Sequence, residues 1–88
     1  MKGIVVFMSY QKEIIKTYEK EGYLVLKTIR LNHSGYPDVI AFKDGKVIFI
    51  EVKEETDTLK PLQKKRIDDL KKQGFNAFCV QKNKGIIY

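Results

Sequence analysis

Residues 35–53 read GYPDVIAFKDGKVIFIEVK. Two apolar runs, Pro37 to Phe42 and Val47 to Val52, flank the dipeptide Asp44-Gly45. Asp-Gly between two such runs predicts an antiparallel hairpin closed by a two-residue turn, because both turn positions need positive φ. Lys43 then pairs with Lys46. Counting outward along the two strands, Asp38 falls opposite Glu51. Side chains alternate along a strand, so Lys53 shares the face of Glu51. The hairpin therefore predicts two carboxylates and an ammonium on one face at one end.

Opposed like charges destabilise a sheet, with Cβ atoms only about 4.5–5.5 Å apart. A divalent cation bridging Asp38 and Glu51 is one compensation, and Lys53 is a partial one. Mg²⁺ takes oxygen ligands at about 2.0–2.1 Å, commonly one or two carboxylates with waters and substrate phosphate. The backbone carbonyl of Val52 could add a further oxygen. A metal there would activate a water and offset charge on a phosphate. Lys53 would orient the water or stabilise the anionic transition state. The competing reading is a pair of solvated strand-end acids with an ordinary Glu51–Lys53 surface pair. The prediction also depends on register, since a bulge would separate the acids.

Outward from the hairpin, Ser9 is placed to cap a helix from Tyr10 to Glu21 that Gly22 closes. Its inward positions are Gln11, Ile14, Ile15 and Tyr18, with Glu13, Lys16 and Lys20 on the other side. Tyr23 to Leu31 reads as a strand, Asn32 to Gly35 as a loop, and Glu54 to Thr58 as a polar connection. A second helix runs from Leu59 or Pro61 to Gln73, with Pro61 in its first turn and Gly74 at its stop. Phe75 to Gln81 is a further strand. Ile4 to Met8 is a short apolar run, a strand or an arm. Lys82 to Tyr88 reads as a basic tail with an apolar end. The order helix, three strands, helix, strand predicts one α/β domain over residues 1–88.

The 88 residues suffice for one small domain. Lys plus Arg is 17 against 11 for Asp plus Glu, a net charge of +6 that favours a polyanionic partner. The single cysteine, Cys79, excludes an internal disulfide and reads as a buried structural thiol. His33 is the only histidine, too little for a zinc site. No apolar run approaches the roughly 20 residues of a membrane span. No phosphate-binding glycine loop is present, so no nucleotide cofactor is expected. A reducing, cytoplasmic setting is expected.

Pro37-Asp38 followed by Glu51-Val52-Lys53 resembles the PD-(D/E)XK nuclease motif. The longer string is more specific: Gly35-Tyr36-Pro37-Asp38 entering a strand, Phe49-Ile50-Glu51-Val52-Lys53 leaving one, then Leu59-Lys60-Pro61-Leu62-Gln63 opening a helix. It resembles the VRR-NUC (virus-type replication-repair nuclease) group of that superfamily, in its stand-alone form, across about residues 9–81. The resemblance implies a restriction-endonuclease-like α/β core: a mixed sheet of about four strands with flanking helices. It implies a Mg²⁺- or Mn²⁺-dependent phosphodiesterase acting on DNA. Asp38 and Glu51 would be metal ligands, Val52 would offer its carbonyl, and Lys53 would be the catalytic lysine. Gln63 matches the family's glutamine. Its own spacing to Ile67 and Leu70 also turns it inward, where a buried structural hydrogen bonder is the alternative.

Many superfamily members carry an active-site Glu on the first helix. That place falls here on Gln11, unless a shifted helix start lets Glu13 reach in. His33 and Tyr36 are candidate lining residues; a solvated loop histidine and simple packing are their alternatives. Lys60, Lys64, Lys65 and Arg66 begin the second helix and are candidate phosphate contacts. The expected function is a structure-selective endonuclease on branched DNA such as Holliday junctions or flaps. It would act as a homodimer, in a bacterial or phage-infected cell. A catalytically weak nucleic-acid-binding module of the same fold is the alternative. A protein-interaction domain without nucleic acid is a third reading.

Overall fold

The computed structural model describes residues 8–88. The apolar run from Ile4 lies outside the described residues except for Met8. Helix α1 (Tyr10–Lys20) precedes strands β1 (Leu24–Lys27), β2 (Val39–Lys43) and β3 (Lys46–Lys53). Helix α2 (Pro61–Lys72) then crosses to β4 (Asn76–Gln81) and a short β5 (Gly85–Ile86). The sheet has the sequence order β1 to β5, with β3 and β4 parallel and every other pair antiparallel.

The hairpin forms as its turn dipeptide predicts. Asp44 and Gly45 have φ of 52° and 76°, as a type I′ turn requires. Lys43 pairs with Lys46 and Val39 with Ile50, so one more step outward sets Asp38 opposite Glu51.

α2 is the crossover that parallel pairing of β3 with β4 requires. It packs on one face of the sheet, where Leu59 and Ile67 meet Ala77, Cys79 and Phe49. α1 covers the other face, setting Tyr10, Ile14, Ile15 and Tyr18 against Val39, Ile50, Val52 and Val80. Its start is capped by Ser9, whose Oγ accepts from the Lys12 N–H. The inward side of α1 is the expected one, while Glu13, Lys16 and Lys20 are exposed.

Two boundaries differ from expectation. The strand expected over Tyr23 to Leu31 ends at Lys27, opposite Val39. One more bond follows the same register, from the Thr28 N–H to the Asp38 carbonyl, and the Thr28 hydroxyl bonds the Pro37 carbonyl. The expected basic tail is not free: Gly85–Ile86 adds a fifth strand. Tyr88 docks on α2, its hydroxyl on Asp68 and its carbonyl accepting from Lys71 Nζ. The expected strand count of about four is therefore five. Among the described residues no helix is long and apolar enough to cross a membrane.

Candidate nuclease site

Glu51 and Lys53 lie at the end of β3, alternate with Ile50 and Val52 and so face α2, and Asp38, just before β2, stands beside them at the end of the sheet. Glu51 is 6% and Lys53 8% exposed, with Lys53 Nζ 3.6 Å from Glu51 Oε2. Burial first, and the Asp38 charge second, push the Glu51 carboxyl up from 4.5 to about 7. Burial also raises Asp38, opposed by hydrogen bonds from Gln11 and the Val52 backbone. Two half-desolvated carboxylates that hold protons this readily form a site short of positive charge.

Each Asp38 oxygen has its own donor. Oδ1 accepts from the Val52 N–H at 3.1 Å and Oδ2 from Gln11 Nε2 at 2.5 Å. Gln11 is thus the residue of the first helix that reaches the site, and Glu13 points to solvent. The Val52 N–H faces β2, and a strand residue's carbonyl faces the same side as its N–H. The paired register ends at Val39 and Ile50, and before it the Pro37 carbonyl turns to the Thr28 hydroxyl. Lys53 faces the other way, its carbonyl accepting from Lys82 N–H. Beyond the end of the ladder the Asp38 side chain takes the Val52 N–H, and Pro37 has no N–H to offer the Val52 oxygen.

Gln63 lies where the helical spacing predicts. Its Oε1 accepts from the Lys60 N–H at 2.9 Å and its Nε2 reaches Glu51 Oε2 at 3.3 Å. The amide both caps α2 and braces Glu51, so the structural and site roles coincide.

The loop before Asp38 is fastened to α2. Gly35 has φ of 86°, and a Cβ there would lie 2.7 Å from Leu62 Cγ. Arg66 Nε donates to the Ser34 carbonyl, and its guanidinium stacks 4.8 Å from the Tyr36 ring centre. His33 and Tyr36 line a groove of about 360 Å³ with Arg30 and Asp38. His33 is exposed and Tyr36 half-buried.

The four basic residues around the start of α2, Lys60, Lys64, Lys65 and Arg66, do not form one patch. Lys60 precedes the helix beside Gln63, and Arg66 faces the loop. Lys65 pairs with Asp69 at 2.8 Å, and Lys64 lies over the Tyr88 ring. Cys79 is fully buried, and burial pushes its thiol up to about 11, as an inert structural cysteine requires.

Three contributors were not legible in the sequence. Gln81 Nε2 donates to the carbonyls of Glu54, Glu55 and Asp57, pinning the segment after Lys53. Glu54 Oε2 accepts from the Tyr10 N–H and so registers α1 against that segment. Thr28 holds the Pro37 carbonyl. The only sequence signal was a glutamine closing an otherwise apolar strand.

Among the described residues no group of three or more His, Cys, Asp or Glu gathers as a metal site. The oxygens on offer are two carboxylates and one carbonyl, a set suited to a hard divalent cation that keeps several waters. The dense anionic pair fits such a cation.

A family model described as the VRR-NUC domain matches residues 6–82. A solved structure titled "VRR_NUC domain" superposes with a TM-score of 0.69 at 32% identity, covering 78% of this chain and 76% of that one. Hjc, a Holliday junction resolvase from the archaeal hyperthermophile Archaeoglobus fulgidus, superposes with a TM-score of 0.62 at 17% identity, over 81% of this chain and 65% of that one. That second likeness is one of fold, the restriction-endonuclease-like α/β core. No curated protein is matched significantly.

Proposed function

Because the chain belongs to the VRR-NUC domain family of nucleases, we propose that it is a divalent-metal-dependent DNA endonuclease selective for branched substrates, Holliday junctions and flaps among them. The observation that carries this reading is the convergence of Asp38, Glu51, Lys53 and Gln63 at one end of the sheet, with both Asp38 oxygens held by donors. Asp38, Glu51 and the Val52 carbonyl would hold Mg²⁺ or Mn²⁺. When bound, the ion supplies a more acidic water and offsets charge on the phosphate.

The protein's own groups set the rest. Lys53, held by Glu51 among buried neighbours, presents its ammonium to the attacking water or to the phosphate oxygens. Gln63 keeps Glu51 in one rotamer, and the Val52 N–H and Gln11 do the same for Asp38. The loop carrying His33 and Tyr36 forms one wall of the groove, with Arg66 against that loop as a phosphate contact and Lys60, beside Gln63, as a second. Holding the scissile phosphate in line with these groups converts an encounter into a positioned reaction.

A homodimer would present two such sites to a branched substrate. Leu24, Leu26, Ile29 and Leu31 are at least half exposed and supply apolar surface for it. The Archaeoglobus fulgidus protein, by its title a Holliday junction resolvase, lends the branched-DNA preference support by likeness of fold. The Gln11 amide at Asp38, where a third carboxylate would add charge, favours the alternative of a catalytically weak binding module.

The test is cleavage of labelled junction, flap, single-stranded and duplex DNA with Mg²⁺, Mn²⁺ or chelator, comparing wild type with Asp38→Asn. The expected result is divalent-dependent cutting of branched DNA, reduced at least 100-fold by the substitution. Binding without cutting in either metal would replace the endonuclease with the binding module. Sedimentation of a monomer at working concentration would remove the paired-site arrangement.

A further inference from the structure

We infer that Gln11 restricts this site to a single divalent cation, seated on the Glu51 side of Asp38. The inference rests on the metal-dependent reading of the site given above.

Ser9 caps α1, and the Tyr10 N–H is tied to Glu54 Oε2 at 3.0 Å. The first turn of α1 therefore has a fixed position and rotation against the segment that follows Lys53. Gln11 reaches Asp38 from α1, on the sheet face opposite the α2 residue Gln63 that braces Glu51, and its Nε2 bonds Oδ2 at 2.5 Å.

An amide beside a carboxylate must present its NH₂, because its oxygen would be repelled. That orientation puts the positive end of the amide dipole at Oδ2. A cation approaching Asp38 from this side would meet amide hydrogens or, if the amide turned over and gave up its bond to Asp38, only an uncharged oxygen. The Glu51 side is different: it offers a second carboxylate and the Val52 carbonyl, which lacks a ladder donor.

Charge points the same way. Paired catalytic cations sit about 3.5–4 Å apart and lean on carboxylates placed between and around them. Here the site has two carboxylates and the Lys53 ammonium, and among the described residues no third acidic, histidine or cysteine ligand joins them. Glu13, the acid next along α1, is exposed on the opposite side. Glu54 is engaged with the start of α1. One divalent cation already exceeds the charge the site offers. A second would be opposed by the first, by Lys53 and by the amide.

The experiment is a Mn²⁺ titration without DNA, followed by calorimetry and by electron paramagnetic resonance. The wild type is expected to bind one Mn²⁺ per chain with the spectrum of an isolated ion. Gln11→Glu, with a native circular dichroism spectrum, is expected to bind two, with the line broadening of exchange-coupled neighbours. Two coupled ions in the wild type would overturn the inference while leaving the metal-dependent reading intact. A folded Gln11→Glu that still binds one would also overturn it. Absence of Mn²⁺ binding in the wild type would overturn the metal-dependent reading and the inference with it. The wild-type stoichiometry decides the matter even if the variant does not fold.

Discussion

Gln63 joins the first turn of α2 to Glu51, its oxygen on the Lys60 N–H and its nitrogen on the Glu51 carboxylate. A helix cap and a site brace are thus one side chain. Gln63→Ala should cost about 1 kcal/mol of stability, the usual worth of a cap. It should also slow cleavage by about tenfold or more, because Glu51 is freed to rotate. Chemical denaturation and single-turnover cleavage check the two effects separately. A variant losing stability alone would confine Gln63 to the helix cap.

Glu51 sets a pH dependence for the metal-free protein. Its carboxyl titrates near 7 when folded, against 4.5 ordinarily, chiefly from burial and then from the Asp38 charge. Between those values the folded state binds more protons than the unfolded one, so stability falls as pH rises. This contribution is fully present below about 4.5 and is lost as pH passes through about 7. Glu51→Gln should abolish cleavage yet stabilise the chelated protein at pH 8, by on the order of 1–2 kcal/mol. Melting temperatures of both proteins across pH 4 to 8, with and without Mn²⁺, provide the check. Parallel curves in chelator would dissociate Glu51 from the trend.

Pro37 has no N–H, so the chain just before the β2–β3 ladder offers the Val52 carbonyl no donor at that position. Pro37→Ala supplies the missing N–H, and a made backbone bond is worth about 1 kcal/mol. Mn²⁺ affinity should fall about five- to tenfold, measured by calorimetry on a variant shown to be folded. Unchanged affinity would mean the carbonyl is not a ligand.

Arg66 and Lys65 should part company in DNA binding. Arg66 faces the loop at the groove, whereas Lys65 is paired with Asp69 on the outer surface. Arg66→Ala should lower the slope of log affinity against log salt by about 1, and Lys65→Ala should leave it unchanged. Fluorescence anisotropy over a salt series measures both. Equal slopes for the two variants would place the DNA elsewhere.

The parts of this fold that follow local rules were legible in the sequence. Asp44-Gly45 set the hairpin register, and that register alone set Asp38 opposite Glu51. Helical spacing turned Gln11 and Gln63 inward. What could not be read are contacts between residues distant along the chain and carried by backbone. Gln81 ends a strand like any polar residue, and its three carbonyl partners exist only once β4 lies beside β3. The docking of Tyr88 is of the same kind, since its Lys71 and Asp68 partners meet it only after β5 has turned the chain back. Lys60, Lys64, Lys65 and Arg66 stand close together in sequence as candidate phosphate contacts. About 100° of rotation per residue spread them around the helix, and Asp69 and Tyr88 engaged two of them.

The outer strands of the sheet have a consequence for how copies of this chain can meet. An open strand edge is a template for strand addition and, where long and apolar, for fibril growth. β5 has two residues and β1 four, and β1 gains only one further bond along its register, from the Thr28 N–H to the Asp38 carbonyl. Leu24 and Leu26 are displayed on β1, yet the strand beneath them has only four residues. Among the described residues, greasy side chains are therefore displayed there on an edge too short to template a fibril.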